Sequence, residues 1–205
     1  MGQLGWTRVA IALQGLWDTT GEVLRVEIDG MEPLIIDPSM EAFWWPVPVS
    51  DMPVEIPGAQ IERQFAFNQP LVGATPGSDL STLLWHIGIN SFPGETAWWL
   101  QRRDSYRLLR WPNFTTLAHT PDQVRMTSLL GYAALTVDEL AAQAEVETSE
   151  ARKLINAFSL MRILRSDSPS LPMPRSALQR IAEPEVAAAA PRQGLFRRLR
   201  ERLRG

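Results

Sequence analysis

The chain has 205 residues and is 45% apolar and 21% charged, an ordinary globular composition with enough length for a substantial core. It contains no cysteine, so disulfides, thiolate nucleophiles and cysteine-ligated zinc are excluded. The formal charge is −3, but residues 192–205 carry a net charge of +5 and residues 1–191 a net charge of −8.

The first 67 residues predict strands joined by turns. An apolar run with β-branched residues covers 6–17, and residues 22–28 place Val26 and Ile28 on one face before an Asp29-Gly30 turn. Four prolines between residues 46 and 58 interrupt any regular element, which predicts an extended loop there. The predicted strands are 6–17, 22–28, 32–37, 42–47 and 60–67.

A helix is predicted to follow Ser78 or Asp79, either of which can cap its first turn. The apolar residues of this helix recur at helical spacing: Leu80, Leu83, Leu84 and Ile87. Two further strands are predicted at 96–103 and 105–114, joined by a short turn. We therefore expect residues 1–115 to form an α+β domain with an antiparallel sheet.

Beyond residue 118 the pattern becomes helical. Thr120-Pro121-Asp122-Gln123 combines a capping box with a proline at the first helical position, and Thr136-Val137-Asp138-Glu139 is a second capping box. Thr148 or Ser149 is expected to cap a third helix. The apolar stripe of that helix consists of Ala151, Leu154, Ile155, Phe158 and Met161.

The stretch LTVDELAAQAEVETSEARKLINAFSLMRILRS, residues 135–166, resembles the core of a winged-helix or helix-turn-helix domain. Its second helix carries Leu140-Ala141-Ala142, a short turn follows, and the third helix ends in Ile163-Leu164, where such domains begin their wing. The resemblance implies a winged-helix-like domain over 118–182. Residues 166–174 depart from the family because they show no strand pattern for a returning wing.

In that family the third helix enters the major groove of DNA, which implies that Arg152, Lys153 and Asn156 contact DNA here. The second helix and the turn are acidic, and acidic side chains oppose the phosphate neutralisation on which DNA affinity depends. These acidic residues are Asp138, Glu139, Glu145 and Glu147. Contact with a protein is therefore the preferred interpretation, and DNA binding is the alternative.

Sequence motifs for catalysis are absent. The two histidines, His86 and His119, lie far apart and have no metal-ligand spacing. Residues 73–81, GATPGSDLS, precede a predicted helix but lack the lysine of a phosphate-binding loop. We therefore expect no catalytic residues, no metal and no cofactor.

The tryptophans occur partly as adjacent pairs, Trp44-Trp45 and Trp98-Trp99, in segments predicted as strands. Neighbouring side chains of a strand point to opposite faces, so one ring of each pair is expected to face the core. The other ring needs a cover, because large exposed apolar surfaces are costly. A second layer of the same chain or a protein partner would provide that cover.

The C-terminal residues predict a tethered docking peptide. Residues 183–193 are rich in alanine and proline and predict a linker. Residues 194–205 would form a three-turn helix with a narrow apolar seam of Leu195, Phe196, Leu199 and Leu203. A helix this short folds only against another surface, with Arg197 and Arg198 meeting acidic groups of a partner. Membrane-surface attachment, nucleic-acid binding and a solvated tail are the alternatives.

Together these patterns predict a non-enzymatic bacterial adaptor or regulatory protein that binds a protein partner. Homo-oligomer formation is compatible with the same residues. A DNA-binding transcriptional regulator and a peripheral membrane-associated signalling protein are the alternative functions. The N-terminus lacks the pattern of a signal peptide and no stretch approaches the roughly 20 apolar residues of a membrane span, so we expect a cytoplasmic location.

Overall fold

The computed structural model describes residues 5–56, 58–69, 75–101 and 103–168, which fall in one compact unit. The predicted linker at 183–193 and the predicted docking peptide at 194–205 lie outside the described residues. The helices are α1 (Gly5–Gln14), α2 (Leu80–Asn90), α3 (Pro121–Tyr132), α4 (Val137–Ala144) and α5 (Thr148–Leu160). The strands are β1 (Glu22–Glu27), β2 (Leu34–Asp37), β3 (Ala42–Trp44), β4 (Gln60–Phe65), β5 (Ser78–Asp79), β6 (Ser105–Leu108) and β7 (Leu164–Asp167).

Five strands form one antiparallel sheet in the spatial order β4-β1-β2-β3-β5. Leu24, Ile36 and Phe43 lie side by side on its inner face and belong to the same hydrophobic core as α1 and α2. The next row of side chains points to the outer face, because side chains alternate along a strand. That row consists of Arg25, Ile35 and Trp44. The predicted α+β class with an antiparallel sheet is confirmed.

The prediction of a strand over 6–17 is wrong, because residues 5–14 form helix α1. The buried residues of α1 are Trp6, Val9, Ala10 and Leu13, together with Gly5 and Thr7. The apolar members of this set recur with the period of a helix, and burial of that stripe against the sheet outweighs the strand preference of single β-branched residues. The helical period was therefore already present in the sequence.

The two strands predicted after α2 are largely absent. Residues 98–100 form a turn, and only Ser105–Leu108 of the second segment is a strand. This strand, β6, pairs with β7 instead of joining the five-stranded sheet. β7 follows α5 directly and has its partner about 60 residues earlier in the chain. Most of the segment 166–174, which shows no pattern for a returning wing, lies outside the described residues.

Local capping signals locate the helices of the second half. Both predicted capping boxes form, with Thr120 and Gln123 at α3 and Thr136 and Glu139 at α4 bonding reciprocally to backbone N–H groups. The third helix starts one residue earlier than expected. Its N-cap is Glu147, whose side chain makes no capping hydrogen bond.

One core extends through both halves of the described chain. Helix α2 packs against α5 so closely that a Cβ on Gly88 would lie 2.8 Å from the Cβ of Ala157. The main hydrophobic cluster contains residues on both sides of position 115, among them Leu24 and Phe158. The boundary predicted between residues 115 and 118 therefore does not divide the core.

Candidate functional site

Asn156 of α5 is buried beneath the segment that follows α2. Its Oδ1 accepts a hydrogen bond from the Ala97 N–H at 2.9 Å, and its Nδ2 donates to the Glu95 carbonyl at 2.9 Å. Only 1% of the residue is exposed. We therefore correct its interpretation as a DNA contact, because both ends of the amide already have partners inside the protein.

The same segment covers the rest of this α5 face. Arg152 donates from Nη1 to the Gly94 carbonyl at 2.8 Å, and the Trp99 Nε1 donates to the Ser159 Oγ at 2.8 Å. Positions 152, 156 and 159 lie on one side of a helix because they are spaced by four and three residues. Residues 94–99 thus occupy the face of α5 that the sequence assigned to DNA.

Lys153 lies beside this covered face and forms a salt bridge with Glu150, with 2.7 Å between Nζ and Oε1. No residue of α5 is fully exposed. A helix that enters a DNA groove presents an open face to the bases. Of the three predicted contact residues, Asn156 is therefore buried, whereas Arg152 and Lys153 are partly exposed and bond to groups of the protein itself.

Trp44 and Trp45 point to opposite sides of the sheet, as predicted. Trp45 belongs to the main core and donates from Nε1 to the Glu32 carbonyl at 2.9 Å. Trp44 packs on the outer face in a separate buried cluster, and its Nε1 donates to the Thr75 carbonyl at 2.9 Å. Gly77 also lies against this ring. The protein's own segment at 75–77 therefore covers the outward tryptophan.

Trp98 and Trp99 lie in a turn, so the strand geometry expected for this pair is wrong. Trp99 packs edge-to-face against Phe92, with 5.4 Å between ring centroids. Trp98 touches Trp99 edge-to-face at 5.7 Å and is 71% exposed. Of the four predicted interface tryptophans, Trp98 therefore presents the largest accessible ring.

An accessible apolar surface lies where β6, α3 and α5 end, and the sequence interpretation missed it. We call it the aromatic patch and define it by Leu109, Trp111 and Tyr132, which are 63%, 57% and 92% exposed. The Trp111 ring lies over α3, 3.5 Å from the position that a Cβ on Gly131 would take. Tyr132 is the next residue of the same helix. The sequence predicted a strand over 105–114, and that prediction gave no indication that Leu109 and Trp111 are exposed.

Backbone contacts hold the aromatic patch in place. The Leu109 N–H donates to the Ile163 carbonyl at 2.9 Å, which continues the ladder between β6 and β7. A pocket of about 100 Å³ opens beside Trp111, with Arg110 on its rim and Met161 in its wall. The patch is therefore a fixed surface with a shallow concavity, built on the ends of regular elements.

Arginines flank the aromatic patch, and one carboxylate, that of Asp79, lines the pocket beside Trp111 together with Arg110. Residues 105–121 contain Arg107 and Arg110 and no acidic residue. Arg107 lies directly opposite Arg165 in the β6–β7 register. Arg165 bonds to Asp167 at 3.0 Å, whereas Arg107 forms no salt bridge within the described part of the chain. Like charges opposite each other destabilise a strand pair, so an anionic group from outside would relieve this arrangement.

Two titratable groups with shifted pKa values lie away from this surface. Burial lowers the pKa of His86, and a hydrogen bond with the Pro53 carbonyl partly offsets that effect. Burial, with a smaller contribution from Asp104, raises the pKa of Tyr106 to about 12. Tyr106 is fully buried, whereas His86 is partly exposed and lines a pocket of about 270 Å³.

A larger pocket, of about 590 Å³, lies on the outer face of the sheet between Arg25, Glu32 and Trp44. Within the described ranges no cluster of three or more His, Asp or Glu side chains is placed to hold a metal ion. Those ranges also contain no helix with the length and apolarity needed to cross a membrane.

The fold defined by these contacts is an α+β arrangement, with a five-stranded antiparallel sheet and five helices among the described residues. No protein-family model, no curated protein and no solved structure matches this chain. The function therefore has to follow from the chemistry of the exposed residues.

Proposed function

We propose that this protein is a non-enzymatic adaptor that binds an acidic protein partner through the aromatic patch. The observation that carries the proposal is the exposure of Leu109, Trp111 and Tyr132 near the ends of β6 and α3, where the Trp111 ring lies over Gly131, the neighbour of Tyr132. Such side chains are normally buried, and contiguous exposed apolar patches are typical of binding surfaces. Tryptophan, tyrosine and arginine are also the residues that most often dominate the binding energy of protein interfaces.

The charge of the surface specifies the partner. Arg107 and Arg110 flank the aromatic patch, and neither forms a salt bridge within the described residues, although Asp79 lines the pocket beside Arg110. An acidic partner would neutralise these arginines and speed association through electrostatic attraction. We therefore propose a partner surface that combines carboxylates with apolar side chains.

The predicted docking peptide supports the same kind of partner. Its apolar seam, Leu195, Phe196, Leu199 and Leu203, is accompanied by Arg197 and Arg198. The peptide and the flank of the aromatic patch both contain arginines, so both complement an acidic surface. We propose that the two elements bind one partner, with the peptide increasing the effective concentration of the first contact.

The second half of the chain is proposed to be a winged-helix-like module used for protein contact. Three consecutive helices, α3 to α5, are followed by strand β7, and Leu135 between α3 and α4 bridges to Tyr106 of β6. The strand beside β7 comes from before α3 instead of from a returning wing. Coverage of the α5 face by residues 94–99 favours a protein-binding role over insertion of α5 into DNA.

DNA binding is the second candidate, and one observation favours it. Arg107, Arg110 and Arg165 lie together on and after the β6–β7 strand pair, where a basic wing would contact phosphates. On this alternative, replacing Arg107 would weaken binding equally to unrelated DNA sequences, and affinity would fall steeply with salt. Binding of an acidic protein instead depends on Trp111.

Photo-crosslinking in the bacterium that produces the protein tests the proposal. A benzoylphenylalanine in place of Tyr132 is expected to give one discrete protein adduct, because this position is the most exposed of the patch. Trp111→Ala in the same chain is expected to remove most of the adduct, since loss of a central interface tryptophan typically costs about 2 kcal/mol or more.

Met40, an exposed residue in the turn between β2 and β3, provides the control position for the crosslinker. Thermal melting of the Trp111→Ala chain checks that its fold is retained. Equal adducts from positions 40 and 132, or an adduct from position 132 that survives Trp111→Ala in a folded chain, would contradict the proposal.

A further inference from the structure

Strand β4 is the long open edge of the five-stranded sheet. It is six residues long and ends the strand order, with β1 on one side and no strand on the other within the described residues. None of its side chains is fully buried. An edge of this kind presents unpaired backbone donors and acceptors to another chain.

The alternation of hydrogen bonds along β4 identifies the backbone groups that do not bond to β1. The Ala66 N–H donates to the Gly21 carbonyl at 2.9 Å, and positions 66 and 21 are opposite each other in the β1–β4 register. Antiparallel pairs alternate between bonded and non-bonded positions. Residues 60, 62 and 64 therefore bond to β1. The N–H and C=O groups that point outward are those of Ile61, Arg63 and Phe65.

An exposed aromatic pair lies at the end of this edge. Phe65 and Phe67 stack with 5.5 Å between ring centroids and 19° between ring planes. Phe67 is 83% exposed. Apolar area is therefore available next to the outward backbone groups, which are the two elements that strand addition uses for specificity and affinity.

The charges of β4 disfavour a second copy of the same chain as the added strand in the registers that pair most of β4. A two-fold axis relating antiparallel strands in one sheet sets one residue directly opposite its own copy. In the centred registers that residue is Glu62 or Arg63. Two carboxylates or two guanidinium groups would then face each other, which destabilises the pair.

We propose that β4 binds an extended strand of a different protein, which adds to the sheet as its sixth strand. The added strand places an acidic side chain opposite Arg63, a basic one opposite Glu62, and apolar ones opposite Ile61 and Phe65. The adjacent opposite charges in β4 thus disfavour self-pairing and favour a segment that carries the complementary charges. This surface is separate from the aromatic patch and does not depend on the proposed adaptor function.

A blocked hexapeptide, Val-Thr-Glu-Lys-Val-Thr, is the probe, because in the antiparallel direction it sets valines opposite Phe65 and Ile61 and glutamate opposite Arg63. Titrated into the isotopically labelled full chain, it is expected to shift the amide resonances of Ile61, Arg63 and Phe65 most. Hydrogen exchange at those three amides should slow. The peptide with glutamate and lysine exchanged is expected to bind about tenfold more weakly.

Arg63→Pro provides the decisive variant, because it removes an outward N–H and leaves every bond to β1 intact. It is expected to melt close to the unchanged chain and to lose peptide binding. Arg63→Ala, which keeps the N–H, should retain slowed exchange at Phe65. Phe67 lies beyond the strand, so Phe67→Ala should leave the fold intact and weaken peptide binding severalfold. This variant therefore tests the proposal if Arg63→Pro fails to fold.

Shifts elsewhere on the protein, no shifts at millimolar peptide, or unchanged binding by a folded Arg63→Pro chain would overturn the proposal. Trp111→Ala is expected to leave peptide binding unchanged. Failure of the aromatic patch as an interface and failure of β4 as a strand acceptor are therefore observed separately.

Discussion

At the residue scale, a single buried amide joins the two halves of the molecule. Asn156 bonds to the backbone at Ala97 and Glu95, about 60 positions earlier in the chain. Ala97 is itself fully buried, so its N–H has no access to water. Unpaired buried donors and acceptors are costly, which makes this side chain a structural connection and not a reader of DNA.

Asn156→Ala is expected to lower the free energy of unfolding by about 1–3 kcal/mol, because it leaves two backbone groups without partners. Chemical denaturation of the purified chain measures the change. Arg152→Ala, which removes a more exposed bond to the same segment, is the matched control and should cost less than about 1 kcal/mol. Equal costs for the two variants would show that the buried amide has no special role.

At the scale of elements, the contact between α2 and α5 requires a glycine. A Cβ on Gly88 would lie 2.8 Å from the Ala157 Cβ and 2.9 Å from its backbone nitrogen. Real Cβ contacts are longer, and neither neighbour is a flexible side chain. The two helices would have to separate, which disturbs the packing of the main core.

Gly88→Ala is therefore expected to destabilise the protein, although alanine favours a helix over glycine by about 1 kcal/mol. The overpacking cost, typically about 1–3 kcal/mol, exceeds that gain. Gly131→Ala in α3 is the matched control, because a Cβ there meets the Trp111 ring at an ordinary 3.5 Å. Thermal melting should show a lower Tm for the first variant and an unchanged or higher Tm for the second.

At the scale of the whole molecule, the core is shared by segments that look separate in sequence. α5 contributes to the cluster that contains the sheet and α2, and Tyr106 of β6 bridges to Leu135. The segment from residue 118 onward thus lacks part of its enclosure when the residues before it are removed.

Residues 118–205 expressed alone are accordingly expected not to fold, because α5 loses α2 and residues 94–99, and α3 and β7 lose β6. Amide NMR spectra and thermal melting followed by circular dichroism provide the measurement. The full chain should melt in one cooperative transition under the same conditions. A dispersed spectrum and a cooperative melt of the fragment would instead support an autonomous domain.

The sequence alone determined the features that depend on local interactions. Reciprocal capping boxes at Thr120 and Thr136 located two helices, alternation located β1, and adjacency set Trp44 and Trp45 on opposite faces. Each of these signals involves residues close in the chain. The predicted partner-binding residues 195–199 and 203 lie outside the described residues and remain predictions.

Only the tertiary structure decided which faces are accessible. The stripe of Trp6, Val9 and Leu13 became a helix because it packs against the sheet, and Asn156 of α5, predicted to contact DNA, became buried because residues 94–99 cover it. The exposure of Trp111 and the open edge at β4 likewise depend on where distant segments end. Burial is a property of contacts between residues far apart in the chain, so local sequence patterns do not specify it.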